Sequence, residues 1–162
     1  MREIHILCVG KLKEKFYQDA CAEYMKRLSG YCRLTITEIP ETKLPKNPSK
    51  AQIDAALAKE AQKIRDKLPP RAYTAALCIE GRLYSSRDMA LLVVDAGSLV
   101  SPPPRICFLI GGSYGLDERL KAECSCQLSM SPMTFPHHLA RVMLLEQIYR
   151  AFKIEEGSSY HK

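Results

Sequence analysis

The chain has 162 residues, 46% of them hydrophobic and 26% charged, with a formal net charge of +6. Its length fits one domain with a genuine core, and no stretch approaches the ~18–20 apolar residues of a membrane span. The N-terminus lacks the apolar region and cleavage site of a signal peptide, so the expected address is the cytoplasm. The positive charge favours a polyanionic partner without establishing one.

Glu3 to Val9 reads as a short apolar strand ending at Gly10. From Lys15 to Ser29, Phe16, Ala20, Tyr24 and Leu28 recur every four residues, with Tyr17, Cys21 and Met25 alongside, and predict an amphipathic helix that Gly30 ends. Leu34–Ile39 is β-branched and strand-like. The proline-rich segment 40–48 is a loop. Ser49 and Gln52 have capping-box spacing before a helix carrying Ile53, Ala56, Leu57, Ala61, Ile64 and Leu68, which Pro69-Pro70 stops. Tyr73–Ile79 is a third strand, closed by Gly81. Ser85 and Asp88 cap a helix bearing Met89, Leu92 and Val93, and Pro102-Pro103-Pro104 is a second loop. The most apolar strand, Arg105–Ile110, runs into Gly111-Gly112-Ser113-Tyr114-Gly115. A short helix spans Asp117–Glu123 and a strand lies around Gln127–Met130. The last helix opens with Pro136 at its first position and carries Leu139, Val142, Leu145, Tyr149 and Phe152. Continuous apolar strands alternating with helices predict a single α/β domain over residues 1–162, a parallel sheet with helices on both faces.

Three features carry possible chemistry. Gly111-Gly112-x-x-Gly115 follows a strand, so it is either a tight turn needing positive φ or a place where backbone amides approach a ligand at the carboxyl edge of the sheet. It is neither G-x-G-x-x-G nor a Walker motif. The loop Met130-Ser131-Pro132-Met133-Thr134-Phe135 is unusually apolar, and either plugs the core or lines a slot for a flat ligand such as adenine. Arg141 and Arg150 lie on the last helix, and Tyr160-His161-Lys162 would ordinarily be a frayed end. The seven cysteines are odd in number and contain no C-x-x-C pair, and Cys124-x-Cys126 lacks two further ligands. Reduced thiols and no metal are expected.

Taken together, Ile4-x-Ile6-x-x-Val9-Gly10-Lys11, Ile110-Gly111-Gly112-Ser113-x-Gly115-Leu116, Met133-Thr134-Phe135-Pro136-His137, Arg141-Val142, Glu146-Gln147-x-Tyr149-Arg150-Ala151 and Tyr160-His161-Lys162 resemble the large-subunit rRNA methyltransferase H family of the SPOUT superfamily. The resemblance runs from residue 1 to 162. It implies N3-methylation of a pseudouridine in 23S rRNA, with S-adenosylmethionine as donor and the ribosome as partner. It implies a parallel sheet whose C-terminal part forms a trefoil knot, and a homodimer. The family's cofactor site falls on Leu77, Gly111 and Met130 through Phe135. Arg141, Arg150, Tyr160, His161 and Lys162 complete the active site. Cys78 stands where many relatives carry an acidic residue. His138 and His161 are conceivable bases for the N3 proton, while Arg150, His161 or Lys162 could stabilise the anion. A SPOUT enzyme acting on tRNA and a non-catalytic RNA-binding protein are the alternatives.

Overall fold

Residues 1–95 and 105–162 are described by a computed structural model, so the Pro102–Pro104 loop lies outside the described residues. The elements follow the order β1 (Arg2–Val9), α1 (Lys15–Leu28), β2 (Cys32–Ile39), α2 (Lys50–Lys67), β3 (Ala72–Leu83), α3 (Ser86–Ala90), β4 (Arg105–Ile110), α4 (Glu118–Glu123), β5 (Cys126–Ser129) and α5 (His137–Glu155). A wide turn at Leu91–Asp95 extends α3, and a 3-10 turn at Ser159–His161 closes the chain.

All five strands are parallel, in the order β2-β1-β4-β3-β5. Successive strand side chains point to opposite faces. Ile4, Ile6, Ile106 and Phe108 therefore pack on one side with α1, α3 and α5. Leu7, Val9, Cys107 and Leu109 pack on the other with α2 and Leu120 of α4. Burial on both faces explains why these strands read as unbroken apolar runs. Both capping boxes form, Ser49 with Gln52 and Ser85 with Asp88.

Four local expectations are corrected. On α1 the buried residues are Cys21 and Leu28, with Tyr17 and Tyr24 against the core, while Phe16 is 65% exposed and Met25 is also exposed. Tyr24 and Leu28 of the residues that repeat every four do face the core, and Phe16 and Met25 do not. The helix ends at Ser29, whose N–H bonds Lys26 O, and Gly30 does not adopt the left-handed cap conformation. β3 continues through Gly81 to Leu83, because a shift in its pairing with β5 between Leu77 and Arg82 absorbs the irregularity. Gly81 is there for proximity: a Cβ would lie 2.7 Å from the Gln127 carbonyl carbon. Pro136 is extended and caps α5 from outside, so the helix starts at His137.

α5 runs from the carboxyl edge of the sheet, where His137 lies beside Gly10, to the amino edge, where Phe152 stacks on Tyr31 just before β2 (ring centroids 5.3 Å apart). Its buried stripe is Arg141, Leu144, Leu145, Ile148, Ala151 and Phe152. Val142 and Tyr149 are half-buried against the same core.

Candidate active site

At the carboxyl ends of β3, β4 and β5 the surface opens into a cleft of about 1430 Å³, the position where open α/β sheets take ligands. Leu77, Gly111, Met130, Ser131, Met133, Thr134 and Phe135 all line it. Pro132 is exposed and does not line it. The apolar loop after β5 therefore faces a slot: Met130 also touches the core, and Met133 is 70% exposed at the opening. Ser131 shapes the loop by accepting the Met133 N–H (3.0 Å).

The glycine loop is a tight turn as well as a cleft wall. Gly115 N–H bonds Gly112 O (3.0 Å), and Gly115 sits at φ +79, where a side chain would strain the backbone. A Cβ on Gly111 would stand 2.3 Å from the Gly115 carbonyl oxygen. Gly111 is thus required by the turn itself, which in turn positions the backbone beside the cleft.

Sequence reasoning missed the charged wall of this cleft. The shifted pairing of β3 with β5 puts Cys78, Ile79 and Glu80 on its rim, facing Glu118 and Lys121. Lys121 is buried and donates to Glu80 and to Glu118 (2.7 Å). Burial opposes its charge, but these two carboxylates more than offset that and hold the ammonium above the ordinary lysine range. The hydrogen bond from Lys121 likewise holds Glu80 below the usual carboxylate range. Burial pushes the Cys78 thiol up, so it stays protonated and unreactive. His137 also lines the cleft, and burial, aided by neighbouring His138, lowers its pKa and keeps it neutral. A histidine directly after Phe135-Pro136 was the available signal for it. His138 points elsewhere, toward Glu14 (3.4 Å) and Tyr17.

The remaining predicted residues lie outside the cleft. Arg141, 3% exposed, donates to Gly10 O (3.2 Å) and pairs with Glu38 (3.5 Å), so within this chain it ties α5 to the ends of β1 and β2. Arg150 donates to Glu146 (2.7 Å) and to the Tyr160 carbonyl (3.2 Å). The tail folds back on α5, with the Tyr160 ring 5.2 Å from that of Tyr149 and beneath the Arg150 guanidinium. His161 is half-buried and Lys162 exposed. At 1.5 Å per helical residue, Arg150 stands about 20 Å along α5 from His137. One chain's cleft and one chain's tail occupy opposite edges of the sheet.

The fold and cleft define an α/β protein suited to a nucleoside-like cofactor: apolar walls for a flat ring, hydroxyls and backbone for its edges, and carboxylates for a diol or a cation. A profile of the family described as "Predicted SPOUT methyltransferase" matches residues 2–161. The chain is 42% identical over 160 residues to the ribosomal RNA large subunit methyltransferase H of Streptococcus uberis, covering 99% of both chains. It is 45% identical over 159 residues to that of Clostridium novyi, covering 98% of this chain and 99% of the relative. A probable methylase family protein from Haemophilus influenzae has the same fold, with a TM-score of 0.56 at 16% identity over 99% of this chain and 71% of that one. The chain belongs to the SPOUT methyltransferases and, within them, to the ribosomal RNA large subunit methyltransferase H family. Enzymes of this family use S-adenosylmethionine, and the walls of the cleft fit its adenosine and charged methionine ends.

Proposed function

We propose that this protein methylates N3 of a pseudouridine in 23S rRNA of the large ribosomal subunit. The carrying observation is the cleft at the carboxyl edge, whose walls come from Leu77, Gly111 and the Met130–Phe135 loop in a chain that matches its relatives end to end. Leu77, Met130 and Phe135 would enclose the adenine, with Gly111 and the loop from Ser131 to Thr134 supplying backbone and hydroxyl groups around it. Glu80, held by Lys121, is aimed to receive hydroxyls or the cofactor's positive charge. When bound, S-adenosylmethionine supplies a methyl carbon already activated by its sulfonium.

The residues therefore have two tasks, alignment and removal of the N3 proton. As the N3–C bond forms, the proton must pass to a base. His137 lines the cleft and is kept neutral, so its ring can accept that proton or relay it. Arg150 and the Tyr160-His161-Lys162 tail carry the positive charge that favours the N3 anion and the aromatic ring that stacks on a base. They lie about 20 Å from the cleft of their own chain. That separation supports a two-fold homodimer in which each tail serves its partner's cleft. Arg141 would act by fixing α5 beneath the site.

The same reading includes a trefoil knot in the C-terminal part of a single domain. It is supported by the match to the SPOUT family over residues 2–161. Seven free thiols suit the reducing cytoplasm as the place of reaction. The test is nucleoside mass spectrometry on ribosomes lacking the modification, incubated with the protein and methyl-labelled cofactor. Label in N3-methylpseudouridine from 23S rRNA is expected. Label in a tRNA ribose, or in no RNA, would overturn the proposal.

A further inference from the structure

Near the cleft lies a second, basic surface that the reaction chemistry leaves without a role. β1 and β2 run side by side in register to Val9 and Ile39, and Gly10 N–H bonds Ile39 O (2.9 Å). The segments that follow, 10–15 and 40–48, therefore leave the sheet together. They carry five lysines, at 11, 13, 15, 43 and 46, against two glutamates, at 14 and 41. All five lysines are exposed. Lys15 is neutralised by Asp19 (2.8 Å), and Glu14 faces His138. Lys11, Lys13, Lys43 and Lys46 form no ion pair among the described residues, although pairs one helical turn apart recur on α1 and α2.

These four ammonium groups ride on fixed backbone. Leu12 is buried between Lys11 and Lys13, and Leu44 is half-buried next to Lys43, so each leucine anchors inward while its lysine neighbours face out. Pro40, Pro45 and Pro48 restrict the second segment. Glu60 of α2, 6% exposed, accepts the Thr42 N–H (2.9 Å) and pins the segment from beneath. The segment also reaches the glycine loop: Glu41 Oε1 comes within 3.6 Å of the Cβ position at Gly112, and Thr42 and Leu44 share a crevice with Ser113 and Tyr114. Unneutralised lysines on two adjacent, anchored segments beside the cleft suit a phosphodiester strand.

We propose that Lys11, Lys13, Lys43 and Lys46 form a docking track for the RNA phosphodiester backbone, which holds the substrate strand while its target base enters the cleft. This rests on the reading of the protein as an rRNA methyltransferase, and it predicts a salt signature. Each lysine–phosphate contact releases condensed counterions, so losing four contacts should lower the slope of log Kd against log salt by about 3.

The experiment measures ribosome binding by sedimentation from 50 to 300 mM KCl, with cofactor affinity followed by calorimetry. The wild type is compared with K11Q/K13Q/K43Q/K46Q and with K26Q/K59Q/K67Q/R87Q, a charge-matched control on other exposed positions. Expected are a lower salt slope and on the order of 100-fold weaker ribosome binding for the track variant, with S-adenosylmethionine affinity within about 2-fold of wild type. The control should keep the wild-type slope. Equal slopes for track variant and wild type, or equal losses in both variants, would overturn the track. Binding without methyl transfer by the wild type would refute the reaction instead, and the slopes would still judge the track.

Discussion

The two edges of this sheet are built on opposite plans. At the carboxyl edge, the end of β3 and the loops after β4 and β5 meet around a cleft that is shaped chiefly by backbone geometry, a glycine turn and a shifted strand pairing, with one buried lysine clasped between carboxylates on its wall. At the amino edge, Arg150 and the tail are held by side chains, through Glu146, Tyr149 and Tyr160. Backbone-built sites are rigid before any ligand arrives. Side-chain clasps such as that of Tyr160 can exchange one partner for another. The first plan suits a small cofactor, and the second suits a large substrate that must be admitted and released. α5 carries residues at both, His137 at the cleft and Arg150 beside the tail.

The comparison breaks most sharply at Gly111. Gly111→Val puts a Cβ 2.3 Å from the Gly115 carbonyl oxygen, so the turn cannot close. Cofactor binding should vanish in calorimetry, and methyl transfer should fall by on the order of 1000-fold, while circular dichroism keeps its helical signal. Unchanged affinity in this variant would remove the glycine turn from the cofactor site.

Deleting Tyr160 to Lys162 should act on the other half alone. Transfer should drop about 100-fold, the scale of a lost positioning or electrostatic group, with cofactor affinity and thermal stability close to wild type. A parallel loss of cofactor affinity would mean that the two edges are not separable.

The smallest effect concerns the buried charge beneath the loop at the carboxyl edge. Burial raises the Glu60 pKa, with the Thr42 N–H opposing it. The folded state then binds the proton more tightly than the unfolded chain. The contribution of Glu60 to stability is thus fully present below the ordinary glutamate range and is lost as pH rises through the elevated folded value. Glu60→Gln keeps an acceptor for Thr42 and removes the charge. At pH 7.5 its Tm should match the wild type or exceed it by about 2 °C, and the difference should close near pH 4.5. A clear loss of stability at pH 7.5 would show that the charge itself holds the loop.

How much of this was legible in the sequence follows from what each signal measures. Strands buried on both faces announce themselves as apolar runs, and the capping boxes are local, so element order and the parallel sheet could be read directly. The loop from Met130 to Phe135 stood out because its apolar content has no use in solvent. The α1 face was drawn too wide because Phe16 and Met25 are apolar but not inward, a distinction that only packing against α5 makes. Glu80 and Lys121 escaped because ordinary surface charges look the same in sequence, and His137 was read only as the end of a motif, without a role of its own. Their significance comes from the shifted pairing of β3 with β5 and from the turn at Pro136, both of them tertiary. The separation of Arg150 from the cleft was likewise invisible to motifs, which record order along the chain and not the edge of the sheet.

The central claim, that the cleft of one chain and the tail of another make one site, is tested most directly by complementation. Chains lacking residues 160–162 are mixed with full-length Gly111→Val chains, and mass measurement establishes that heterodimers form. Each such dimer has one cleft and one tail intact, on different chains. The account predicts methyl transfer from the mixture at about one quarter of the wild-type rate, since half the dimers are mixed and each has one working site, while either variant alone remains near background. A mixture that contains heterodimers but stays at background would show that each tail serves its own chain, and would contradict the account.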